Sequence, residues 1–160
     1  MHLAQFNVAH MRAPIDDLLL ADFVAALEPV NALADAAPGF VWRAIANPDD
    51  PEETITHDFG DHLLINYSIW ESRETLWNFV YRSAHLAILQ RRREWFQRVA
   101  EPYTVMWWVP DGEIPPLAEG WRRLTLLKEK GPTPDAFTFK EFYDPSSAAP
   151  WRPAAAEVRK

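Results

Sequence analysis

The stretch His62-Leu63-Leu64-Ile65-Asn66-Tyr67-Ser68-Ile69-Trp70-Glu71-Ser72 decides the fold. Its odd positions, Leu63, Ile65, Tyr67 and Ile69, are apolar. Its even positions, Leu64, Asn66, Ser68 and Trp70, are mixed. Period-two alternation of this kind predicts a strand over 62–70 with one buried face. Ser72 is a good helix cap and Glu74 suits a first turn, so a long helical stretch follows over 72–99. A break is expected near Arg82-Ser83, because Ser83 can itself cap a second helix over 84–99. A strand that passes directly into a helical stretch ended by Pro102 is half of a split βαβ arrangement.

The other half is found upstream. Residues 3–10 alternate between Ala4/Phe6/Val8 and Leu3/Gln5/Asn7, which predicts a first strand. Asp16 or Asp17 can cap the helical stretch 17–36, which Pro29 should kink or split. After the Pro38-Gly39 turn, residues 40–46 read as a second strand, with Phe40, Trp42 and Ala44 on one side and Val41, Arg43 and Ile45 on the other. The polar, Pro-containing residues 47–61 read as a surface loop. Downstream, 103–109 reads as a fourth strand and 116–130 as a last helix, begun by Pro116 and stopped by Gly131-Pro132. Residues 137–143 alternate and suggest an edge strand. Residues 1–144 thus form one domain with a C-terminal helix appendix, and 145–160 a flexible Ala/Pro/Ser-rich tail.

The resulting class is α+β: a ferredoxin-like sandwich with an antiparallel sheet and helices on one face. Its second sheet face is also apolar and needs cover, which self-association into a homodimer would supply.

The bulk properties narrow the function. The 160 residues carry a net charge of −7, and the pI is about 5.2. That charge disfavours nucleic acid and anionic membranes as partners. No apolar run approaches the ~18 residues of a membrane span. Without cysteine there is no disulfide, thiolate nucleophile or thiolate metal site. No signal peptide is visible, so a cytoplasmic setting is expected. Eight Trp suggest an aromatic-lined cavity or interface beyond a plain core. Phosphate-loop, GxSxG and HExxH patterns are absent, which excludes the enzyme classes built on them.

Several stretches resemble a known family: Pro38-Gly39-Phe40-Val41-Trp42-Arg43, Asn66-Tyr67-Ser68-Ile69-Trp70-Glu71-Ser72, Phe79-Val80-Tyr81-Arg82-Ser83-Ala84-His85, Arg93-Glu94-Trp95-Phe96, Trp107-Trp108-Val109-Pro110-Asp111-Gly112, and Gly131-Pro132-Thr133-Pro134-Asp135-Ala136-Phe137-Thr138-Phe139. They look like a bacterial family of unknown function in the dimeric α/β-barrel superfamily. The resemblance covers roughly residues 3–143 and implies the fold and a homodimer. The superfamily includes antibiotic-biosynthesis-type monooxygenases, some of which work without metal or flavin. Their Asn and Trp on the third strand resemble Asn66 and Trp70. It also includes haem-degrading enzymes, whose Asn, Trp and His resemble Asn7, Trp77 and His85.

On a helical wheel of about 100° per residue, His85 and Arg92 fall in the middle of the apolar arc of 84–99. Burying either has a cost unless a partner or ligand compensates it. His85 could then act as a general base, hydrogen-bond donor or metal ligand, and Arg92 could hold an anion. A satisfied core histidine and an arginine snorkelling to the edge are the structural alternatives. Asn66 completes the candidate catalytic set, and Asn7, Trp70, Trp77 and Tyr67 the candidate substrate-binding set. Asn7 and Asn66 could orient a carbonyl or enolate, or make cross-strand bonds. Trp70 and Trp77 could wall a flat ligand, or pack the core.

The segment His57-Asp58-Phe59-Gly60-Asp61-His62 has ligand chemistry, but a solvated turn is the preferred reading and no metal is expected. The functional expectation is a small monooxygenase-like enzyme, cofactor-free, acting on a flat hydrophobic or phenolic molecule. The alternatives are haem binding through His85, or a non-catalytic dimeric module that binds a small molecule.

Overall fold

The computed structural model describes residues 1–45 and 62–148. Four strands form one antiparallel sheet: β1 (His2–His10), β2 (Phe40–Arg43), β3 (Leu63–Trp70) and β4 (Thr104–Val109), in the order β2-β3-β1-β4. The helices are α1 (Ala21–Asp35), α2 (Arg73–Arg82), α3 (His85–Gln90), α4 (Arg92–Trp95) and α5 (Leu117–Lys130). With β1 and β3 central and every pairing antiparallel, this is the ferredoxin-like βαββαβ arrangement. The loop expected over 47–61, and all but the last residue of the segment His57–His62, lie outside the described residues.

Alternation along the central strands divides the core by sheet face. Leu3, Trp70, Met106 and Trp108 turn towards α1 and α2, where Ala34 and Leu76 meet them. Ala4, Phe6, Val8, Ile65, Tyr67, Ile69, Val105 and Trp107 turn the other way, and α5 covers them with Leu124 and Leu127. The cover expected from a second copy is therefore supplied by the C-terminal helix of the same chain. A smaller cluster of Met11, Leu20, Phe23 and Trp95 closes one end.

Local signals explain the helix boundaries. Ser72 and Thr75 form a reciprocal capping box at α2. Asp17 accepts from the Leu19 N–H at 2.8 Å and starts a 3-10 turn over Leu18–Leu20 that leads into α1. Helix α1 runs continuously through Pro29, so the split expected there as the alternative to a kink does not occur.

Three expectations are corrected. Phe40 and Trp42 were expected on one face, but the register with β3 shifts between them, as in a β-bulge. Phe40 consequently packs with the α1/α2 cluster and Trp42 with the α5 cluster. The edge strand over 137–143 is absent. Only Phe137 bridges Met106, and a turn at Thr138–Glu141 lets Phe137, Phe139, Phe142 and Tyr143 all pack on the same aromatic cluster. Finally, the helix over 84–99 breaks at Arg91 and ends at Trp95. There the backbone docks on the end of β1 instead: the Arg12 N–H reaches Trp95 O at 2.8 Å and the Gln97 N–H reaches His10 O at 2.8 Å. Beyond the domain core, Pro145–Ser147 form a short 3-10 turn and Ala148 packs on the aromatic cluster.

Candidate functional site

His85 opens α3, immediately after the chain leaves α2. Its Nδ1 lies 3.1 Å from the Val80 carbonyl oxygen, a bond in which the ring nitrogen must be the donor. In neutral imidazole the lone pair then sits on Nε2, which has no hydrogen-bond partner among the described residues. Burial holds the His85 pKa below the ordinary histidine value, against the opposing effect of the Val80 hydrogen bond. The ring is therefore neutral near pH 7. It rests 5.1 Å from Phe79, which in turn stacks on Trp70 at 5.1 Å.

A polar strip crosses the α1/α2 face of the sheet. Asn7 and Asn66 are direct register partners on β1 and β3. The Asn7 amide donates to Thr104 Oγ1 at 3.3 Å. Ser68 Oγ donates to Gln5 Oε1 at 3.2 Å and accepts from Trp70 Nε1 at 3.0 Å. Asn66 is exposed although it lies within a central strand, so the sheet reaches solvent at that point, and its amide has no hydrogen-bond partner among the described residues.

The remaining candidates are engaged with other partners. Arg92 is not two turns along the helix of His85, because the break at Arg91 intervenes. Its guanidinium sits 4.5 Å above the Tyr103 ring and donates to the Tyr103 hydroxyl at 2.7 Å. Tyr67 is on the opposite sheet face, where its hydroxyl donates to Pro115 O at 2.8 Å. Burial, with the Glu119 charge, pushes its pKa far up, so the hydroxyl stays protonated and committed to that carbonyl. Trp70 is fully buried and packs rather than walls. Trp77 lies against Tyr81, Phe139 and Arg73.

Asn7, Trp77 and His85, the set suggested for haem, each have their own neighbours: Thr104 for Asn7, Tyr81 and Phe139 for Trp77, and Phe79 and the Val80 carbonyl for His85. A cleft of about 320 Å³ lies elsewhere, lined by Glu71, Arg73, Glu74, Trp108, Phe142 and Asp144 among others. Among the described residues, no His, Asp and Glu gather closely enough to hold a metal ion.

One polar cluster was not anticipated. Under α5, Glu119 and Arg123 are both buried and joined at 2.7 Å, with Arg122 donating twice to the same carboxylate. Burial pushes the Glu119 pKa up, and the two arginines overcome it to hold the carboxyl below its usual value. The signal was present in the i, i+4 spacing of Glu119 and Arg123 on the side of α5 that carries Leu127.

The strand order and the helices on the sheet define an α+β, ferredoxin-like protein. The chain belongs to the family described as a domain of unknown function, DUF3291, whose model matches residues 2–152. No curated protein matches it. Among solved structures it is similar to a protein of unknown function from Nitrosomonas europaea, with 17% identity, 71% of this chain and 94% of that chain covered, and a TM-score of 0.48. A second protein from the same organism, named only provisionally as an antibiotic biosynthesis monooxygenase, gives 16%, 71%, 94% and 0.48 in the same order. A Pseudomonas aeruginosa protein gives 14%, 66%, 88% and 0.43.

Proposed function

We propose that the protein is a small monooxygenase-like enzyme in which His85 is the general base for a flat, hydrophobic, phenolic or similarly acidic substrate. The observation that carries this reading is the commitment of Nδ1 to the Val80 carbonyl, which leaves a neutral Nε2 lone pair free. Nε2 takes the substrate proton. The electron-rich anion then gives electrons to dioxygen and forms a C–O bond to it; the protonated Nε2 returns its proton to the peroxide so formed, and loss of water leaves a carbonyl. The substrate carbon supplies all four electrons, one oxygen atom enters the product and the other leaves as water, so the step needs no cofactor. In this reading the Asn66 amide, unpartnered among the described residues and open to solvent, donates to the developing negative charge. Arg92 has a place in this reading only as the clasp on Tyr103.

The working setting in this reading is the cytoplasm. Separately, no helix among the described residues is long and apolar enough to cross a membrane. The working form is a homodimer, joined at the β2 rim, where Trp42, Ala44 and Leu63 are only partly buried, rather than across the area that α5 covers.

Oxygen uptake with a panel of anthrones and quinols tests the reading. Turnover by the wild type and a loss of roughly 10²- to 10⁴-fold in His85→Gln are expected, the usual weight of a general base. A panel silent throughout, or an equally active His85→Gln, would overturn it.

A further inference from the structure

The junction between α2 and α3 has a use for the histidine proton that goes beyond the base role. The last carbonyls of a helix lose their backbone donors where the chain turns away. In α2 these include Phe79 and Val80, whose helical donors would be the N–H groups of Ser83 and Ala84. Ser83 is instead extended, with φ −114° and ψ −178°, and neither N–H bonds back to α2. Both carbonyls are partly buried and are satisfied by side chains. Ser83 Oγ–H donates to Phe79 O. His85 Nδ1–H donates to Val80 O. The same Ser83 oxygen accepts the His85 backbone N–H at 3.1 Å and so fixes the start of α3.

We infer that Ser83 is a positioning residue: by bridging the last turn of α2 to the first residue of α3, it holds His85 in the tautomer that carries hydrogen on Nδ1 and presents a bare Nε2. An unconstrained neutral histidine side chain in water favours the opposite tautomer, with hydrogen on Nε2, so the protein has to impose this one. The orphan Val80 carbonyl supplies the demand, since only a donor satisfies it. Ser83 supplies the geometry, because its two bonds set where the His85 backbone begins. The significance for catalysis rests on the base role proposed for His85; the tautomer itself does not.

The test is long-range proton–nitrogen correlation of the imidazoles in the ¹⁵N-labelled full chain near pH 7.5. His85→Gln assigns the His85 signals among the five histidines. The wild type is expected to show the Nδ1–H form at His85. In Ser83→Ala the ratio of Nδ1–H to Nε2–H is expected to fall about fivefold, the effect of losing one hydrogen bond, and Ser83→Thr, which keeps the hydroxyl, should restore it. An Nε2–H ring in the wild type overturns the inference without any variant. So does an unchanged ratio in a natively folded Ser83→Ala. If the tautomer behaves as stated while the quinol and anthrone panel stays silent, the positioning role stands and the oxygenase reading falls. If the wild type turns over the panel but carries the opposite tautomer, the positioning role falls.

Discussion

His85 holds its proton in a balance between burial, which favours the neutral ring, and a carbonyl that holds one N–H. Because the folded pKa lies below the unfolded value of about 6.5, the unfolded chain takes up a proton first as pH falls. The stability this residue contributes is full above about pH 6.5 and is lost as pH drops from there towards the folded pKa. Urea midpoints at pH 7.5 and 5.5 should therefore diverge more for the wild type than for His85→Gln; equal pH slopes would show that the ring is not buried in this way. Glu119 acts in a lower window. Its depressed pKa adds stability above about pH 4.5 that fades as pH falls through the folded value. Glu119→Gln leaves the buried Arg123 without its charge partner and should cost about 3 kcal/mol by urea unfolding at pH 7. The sequence marked His85 through its place on an apolar stripe, but it could not show that the partner is a main-chain carbonyl. It likewise put Arg92 in the same stripe, whereas the Tyr103 ring and hydroxyl claim that guanidinium from outside the helix.

At the scale of elements, close approach governs α5. A Cβ on Gly120 would lie 2.4 Å from the Phe6 ring, so the helix rests on β1 through a position that tolerates no side chain. Gly120→Ala should be destabilising by about 1–3 kcal/mol, despite the better helix propensity of alanine, because overpacking outweighs it. Thermal unfolding measures this, and a stabilised variant would show that α5 can lift off at no cost. Gly39 carries a double demand: φ of +77°, and a would-be Cβ 2.2 Å from Thr75 at the head of α2. The strands β1, β3 and β4 and the helices α2 and α5 were legible because period, caps and stops agreed along each of them. The failures have local causes. One bulged residue in β2 sends Phe40 and Trp42 to opposite faces. The strand-like alternation of 137–143 gives way because a turn lets four aromatic rings reach one cluster. The end of the helical stretch at Trp95, short of residue 99, goes with backbone bonds to β1 that no helical wheel contains.

For the whole molecule, the decisive contact is between α5 and the sheet face opposite α1 and α2. Phe6, Val105 and Trp107 have no exposed surface in a single chain. The core is therefore complete without a second copy, and a protein diluted below its dimer affinity should keep a cooperative unfolding transition and its near-ultraviolet tryptophan signal. Sedimentation alongside circular dichroism tests this; loss of tertiary signal on dilution would show that the face depends on a partner. A chain ended before Leu117 should behave in the opposite manner, exposing the apolar face and associating. Carrying the cover on a seven-residue connection also changes its thermodynamic character. A cover borrowed from another molecule is only as reliable as the supply of that molecule, whereas a tethered helix meets its docking surface at an effective concentration on the order of millimolar, whatever the cell happens to express. Closing this sheet is thus a first-order event, indifferent to abundance, and each newly made chain can complete its own interior before it encounters another.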